Sequence, residues 1–109
     1  MAMSVKKEIQ ALSHKYVRHG GKTNRKQQVK RLLIACDWVA VTFRTNRLAQ
    51  IGNRQIIEFY KNHRHMTPAT LSGYYYAFCT LWEWLERAGK PPKPHVRHFE
   101  VINPLDVQI

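Results

Sequence analysis

The chain has 109 residues, enough for one domain that buries a core without disulfide or metal staples. Apolar residues make up 44% and aromatics 11%, which excludes a disordered tract. The formal net charge is +11, so an acidic partner is favoured, nucleic acid before a membrane surface. That charge is uneven: through Arg31, nine Lys/Arg stand against Glu8 alone.

The first helix is predicted from Ser4 to His19. Val5, Ile9, Leu12 and Tyr16 lie along one face, Ser4 caps the start, and Gly20-Gly21 ends it. Thr23 or Asn24 caps a second helix reaching Thr42 or Phe43, with Val29, Leu32, Leu33, Cys36, Ala40 and Phe43 as its main stripe. Its far side carries Asn24, Gln27 and Arg31 and then turns apolar at Ile34 and Trp38, the pattern of a central helix with a protruding basic end. Arg44 to Gly52 reads as a loop. A third helix runs from Asn53, its expected cap, to Asn62 or His63, with Ile56, Phe59 and Tyr60 inward. Thr67 caps the fourth helix and Pro68 takes its first position, a favoured pairing. Leu71, Tyr75, Phe78, Trp82 and Leu85 form its buried stripe, Gly73 and Tyr76 fall on the outer face, and Gly89-Lys90-Pro91-Pro92 stops it. The expectation is an all-α, four-helix single domain over residues 1–94, followed by a tail or linker remnant at 95–109.

Catalytic chemistry finds little purchase. The seven acids are scattered, and no Gly-x-Ser-x-Gly or Walker-type loop occurs. Gly20-Gly21-Lys22-Thr23 lacks the spaced glycines and preceding strand of a phosphate loop. His63-x-His65 and His95-x-x-His98 could offer metal nitrogens, but Cys36 and Cys79 stand singly on core stripes, so no metal or other cofactor is expected. Unpaired thiols and the lack of an apolar leader place the expected compartment in the cytoplasm. Two helix N-termini, by contrast, suit phosphate oxygens, because each presents unpaired N–H groups and partial positive charge. Lys22, Thr23, Asn24, Arg25 and Lys26 open the second helix, and Gln27, Gln28, Lys30 and Arg31 continue along its exposed face. His63, Arg64 and His65, with Thr67 and Thr70, open the fourth.

Gly20-Gly21-Lys22-Thr23, Leu48-Ala49-Gln50-Ile51, Ile56-Ile57-Glu58-Phe59-Tyr60 and Met66-Thr67-Pro68-Ala69-Thr70-Leu71 occur in that order. Tyr74/Tyr75, Phe78, Trp82-Glu83-Trp84-Leu85 and Gly89-Lys90 follow. Over residues 5–92 this series resembles the N-terminal SAM-like, or core-binding, domain of phage integrases, the tyrosine recombinases. The resemblance implies an orthogonal four-helix bundle that grips double-stranded recombination-site DNA mainly through its backbone. It implies contacts from Lys22, Asn24, Arg25, Gln28, Lys30 and Arg31, and from His65, Thr67, Thr70, Gly73 and Tyr76; at Gly73 a missing side chain would let the DNA backbone approach closely. In that family the tyrosine nucleophile and its arginine, lysine and histidine helpers belong to a second domain. This chain is expected to end where that domain would begin, so it is not expected to cut DNA. A recombinase catalytic domain or other protomers would be further partners. Two rival readings are a protein-interaction module docking through Ile34, Trp38 and Trp84, and a small DNA-binding regulator outside the integrases.

Overall fold

A computed structural model describes residues 2–18 and 22–94. His19, Gly20 and Gly21, expected to close the first helix, and the tail from His95 lie outside the described residues. Four helices form in the expected order: α1 (Ala2–Arg18), α2 (Lys22–Phe43), α3 (Asn53–Asn62) and α4 (Pro68–Trp84). The described residues contain no strand. α1 packs along α2, and α2 also meets α3 and α4, so it is the element that ties the bundle together. Three starts differ from expectation. Helix geometry begins at Ala2, which puts Ser4 inside α1. α2 begins at Lys22, so Thr23 and Asn24 belong to its first turn. Gly52, not Asn53, is the α3 cap, with the Gln55 side chain reaching back to accept from the Gly52 N–H at 2.9 Å.

The core gathers Val5 and Ile9 of α1, Leu32, Ala35, Cys36, Val39 and Ala40 of α2, and Ile56 and Phe59 of α3 around α4. Leu12 departs from its expected place and stays 38% exposed. The buried line of α1 follows the i, i+4 row through Val5, Ile9 and half-buried Ser13, and Leu12 stands one residue off that row. α4 is buried more completely than one apolar stripe requires, since Ser72, Gly73, Tyr74 and Ala77 are covered along with the expected Leu71, Tyr75, Phe78 and Trp82. Aromatic edges join α3 to α4, with Phe59 at 5.1 Å from Tyr74 and 5.7 Å from Phe78 between ring centres.

The segment expected to be a loop holds a turn of 3-10 helix, Leu48–Gln50. Glu8 fixes it to α1: its carboxylate accepts from the Leu48 N–H at 2.8 Å and from Arg47 Nε at 3.3 Å. The end of α4 is a second departure. The helix stops at Trp84, well before Gly89, because Glu86 takes a left-handed φ of 54°. The Glu86 N–H then donates to the Glu83 carbonyl and the Arg87 N–H to that of Trp82, closing the paired 5→2 and 6→1 bonds of a Schellman end without glycine. Beyond it the Arg87 guanidinium lies 4.6 Å over the Trp82 ring and donates to the carbonyls of Ile51 and Ala49. The Tyr60 hydroxyl donates to the Pro92 carbonyl at 3.0 Å, holding the proline strap on α3.

Candidate nucleic-acid interface

Arg31 of α2 and Gly73 of α4 meet where the two helices pack, along the α2–α4 seam. Gly73 of α4 is buried, and a β-carbon there would fall 2.8 Å from the Arg31 guanidinium carbon. Arg31 therefore lies across the glycine, and the space expected for a DNA backbone is filled by a side chain of α2. Two turns before Arg31, Asn24 lines a groove with Thr80 and Glu83 of α4. The helices thus run in opposite directions, so the basic opening of α2 and the polar opening of α4 lie at opposite ends of the pair with the Arg31–Gly73 contact between them. Along the seam, the helical residues 24–31 and 73–68 together span roughly 18 Å at 1.5 Å of helix rise per residue.

The predicted residues differ in what they offer. Asn24, Lys26, Lys30, His65, Thr67 and Thr70 are exposed. Lys22 and Thr23 stand in the first turn of α2, and their side chains lie outside the described part of the structure. Arg25 is half-buried and committed to α1: it donates to the Tyr16 carbonyl at 3.0 Å and lies 4.5 Å over the Tyr16 ring. Gln28, expected on the exposed face, is only 9% exposed, because α4 passes over that side of α2. Tyr76, expected outward, is half-buried and meets the edge of Tyr75.

At the start of α4 the Thr67 hydroxyl oxygen accepts from the Thr70 N–H at 3.2 Å and donates to the Thr70 hydroxyl at 2.9 Å, so the expected cap forms. Ahead of it, the His63 ring stacks on Phe59 at 4.1 Å and meets the edge of Trp38. Its Nδ1 lies 2.7 Å from the Phe59 carbonyl, which can only accept, so the proton sits on that nitrogen. His63 is thereby part of the helix end, and His65 is the histidine that faces solvent.

Between α1, α2, α4 and the strap lies a half-open groove of about 480 Å³. Asn24 and Gln28 form one wall, and Tyr76, Cys79, Thr80 and Glu83 form another. Tyr16 closes the α1 side, and Lys90 and Lys93 arrive from the strap. Burial raises the Cys79 thiol pKa, against the lowering effects of the Tyr75 hydrogen bond and the two lysines. Cys36, wholly buried, is pushed up to about 12 by desolvation. Neither is a ready nucleophile, and among the described residues no three His, Cys, Asp or Glu side chains gather as a metal site. Thr80, Lys90 and Lys93 were not among the residues singled out from the sequence. Gly89-Lys90 reads there as a helix stop, and only the early turn at Glu86 returns the lysines to the bundle.

Acidic groups are sparse along the seam. Glu8 is held by Arg47 and Leu48 on α1, and Glu58 pairs with Lys61 at 3.5 Å on α3. Asp37, Glu83 and Glu86 are exposed, and of these Glu83 lines the groove between α2 and α4. No family model, no curated protein and no solved structure matches this chain.

Proposed function

We propose that the chain is a DNA-binding module that grips double-stranded DNA through the α2–α4 seam, in the manner of the SAM-like N-terminal domain of a tyrosine recombinase. The observation that supports this reading is that Lys26, Lys30, His65, Thr67 and Thr70 are exposed on or just ahead of the two helices that Arg31 and Gly73 pack together. Lys26 and Lys30, on the side of α2 turned away from α4, supply long-range attraction only, while Thr67, Thr70 and Asn24 supply short hydrogen bonds that set register. Arg31, lying across the crossing, adds charge at its centre. The reading makes the domain non-catalytic, an orthogonal SAM-like bundle acting in the cytoplasm, with a catalytic domain or other protomers as its protein partners. No helix among the described residues is long and apolar enough to cross a membrane.

The test is a titration with short duplex DNA at two salt concentrations, followed by backbone amide shifts. Salt-sensitive shifts at residues 24–31 and 65–76 are expected. A folded protein with no shifts at low salt refutes the reading. Arg25 is a poor probe, because its loss also frees Tyr16. The double substitution Lys26→Ala/Lys30→Ala removes exposed charge alone and should weaken duplex binding at low salt with a smaller change in the log–log salt slope than about 1 per residue, the value for a direct phosphate contact.

One observation favours the interaction-module reading. Ile34 and Val41 of α2 are 48% and 64% exposed. The two tryptophans expected beside Ile34 are less available: Trp38 and Trp84 are half-buried and pack on the core, Trp38 against Phe59 and Trp84 against Tyr16. Slow acrylamide quenching of both would agree with that packing, and fast quenching would restore the docking surface.

A further inference from the structure

A second groove, of about 830 Å³, lies between α3 and the proline strap. Ile57, Tyr60 and Lys61 of α3, with Arg64 just past its end, follow i, i+3, i+4, i+7 spacing, so they form a single wall about 10 Å long. Leu71 lines the groove from α4, and Pro92, Lys93 and Pro94 line it from the strap. Its charges are all of one sign: Lys61, which pairs with Glu58, then Arg64 and Lys93. Ile57 is 41% exposed on this wall, an aliphatic side chain that the described bundle leaves largely uncovered. An apolar hollow with a cationic margin is complementary to a segment that alternates apolar side chains with carboxylates.

We infer that this groove is the docking site of the segment that follows it in the chain, residues 95–109. Pro94, the last described residue, is buried and lines the groove, so the chain leaves the bundle from the groove itself. The segment contains Phe99-Glu100-Val101 and Leu105-Asp106-Val107, two triplets with a carboxylate between apolar side chains, and its two acids stand against Arg97 alone. On an extended backbone such a triplet turns both apolar side chains to one side and the carboxylate to the other. The apolar pair suits Ile57 and Leu71, and the carboxylate suits the cations at the margin. Reach is sufficient: the five residues from Pro94 to Phe99 span up to about 17 Å, more than the length of the α3 wall. So short a tether gives an effective concentration on the order of millimolar, which favours this segment over a separate peptide. A second copy is further opposed by the net charge of +11. The inference does not depend on DNA binding.

The test uses the full chain and nuclear magnetic resonance. Overhauser contacts between the Phe99 ring and the methyl groups of Ile57 and Leu71 are expected. Phe99→Ser/Val101→Ser alters the tail alone and should shift the amides of Ile57, Lys61 and Arg64. Ile57→Lys, at a part-exposed site, should shift the amides of residues 99–107 in return; if it folds poorly, the tail variant still decides. Missing Overhauser contacts, or groove amides that stay in place in the tail variant, overturn the assignment. Contacts that fade on dilution give the groove to a second copy and overturn the intramolecular version. Groove amides indifferent to the tail substitutions, yet moved by an added synthetic peptide carrying Phe-Glu-Val, give it to a separate partner and overturn the assignment as well.

Discussion

Replacing Gly73 by alanine separates two effects that normally coincide. Alanine in a helix interior is favoured over glycine by about 1 kcal/mol. Against this stands the added methyl, whose carbon would sit 2.8 Å from Arg31 Cζ and 3.0 Å from Nη2. Relief needs a retreat of about 0.6–0.7 Å, to ordinary van der Waals separation. The obstructing atoms belong to the far end of a long side chain, half-buried and held to Gln28 by one 3.5 Å hydrogen bond. Losing that contact costs about 0.5–1 kcal/mol. Gly73→Ala should therefore change stability by less than about 1 kcal/mol, from zero toward stabilising. On the proposed DNA-binding reading it should also move the Arg31 cation and weaken duplex binding several-fold. Urea denaturation followed by tryptophan emission, beside DNA anisotropy on the same samples, reads both. A loss of more than about 2 kcal/mol, the scale of overpacking in a rigid core, would refute the reasoning by showing that Arg31 is fixed in place.

Other expectations follow from buried groups. The Ser72 hydroxyl is fully buried without a hydrogen-bond partner among the described residues, so Ser72→Ala should stabilise the fold by about 1 kcal/mol in urea melts. Arg87→Met keeps the stem over Trp82 and removes two bonds to carbonyls, and should cost about 1.5–3 kcal/mol by the same measurement. In alkali, burial raises the Cys36 thiol from 9.0 to about 12 and the Tyr75 phenol from 10.0 to about 12. The unfolded chain therefore releases these protons first. The stability these groups contribute is complete below about pH 9 and is lost progressively as pH rises toward 12, at up to about 1.4 kcal/mol per pH unit for each group. Urea midpoints at pH 8, 10 and 11 check the sign; a flat profile would contradict the burial of both. Iodoacetamide should label Cys79 of the native protein before Cys36, as mass spectrometry after digestion would show.

How much of this was legible in the sequence depended on whether the information was local. Thr67-Pro68 announces its helix because cap and first turn lie within four residues, and Ile56, Phe59 and Tyr60 face inward as their spacing requires. The end of α4 was hidden because glutamate rarely adopts left-handed geometry; the Arg87 clasp on Ile51 and Ala49 is visible only once distant segments meet. Gln28 reads as a surface amide, and its burial depends on α4 crossing at a point that periodicity within α2 does not mark. The polar clusters at the two helix openings were legible singly. The contact of Arg31 with Gly73 is a tertiary fact about residues 42 positions apart.

The early turn at Glu86 also determines how the domain bears mechanical load. Had α4 run on to Gly89, tension on the chain beyond Pro94 would pass straight along the helix axis and act to unwind it. As built, such a pull first meets the Tyr60–Pro92 bond and then the Arg87 clasp, both anchored on other elements. The strap works as a strain relief, passing force into α3 and the Leu48–Gln50 turn and shielding the helix that carries half of the seam.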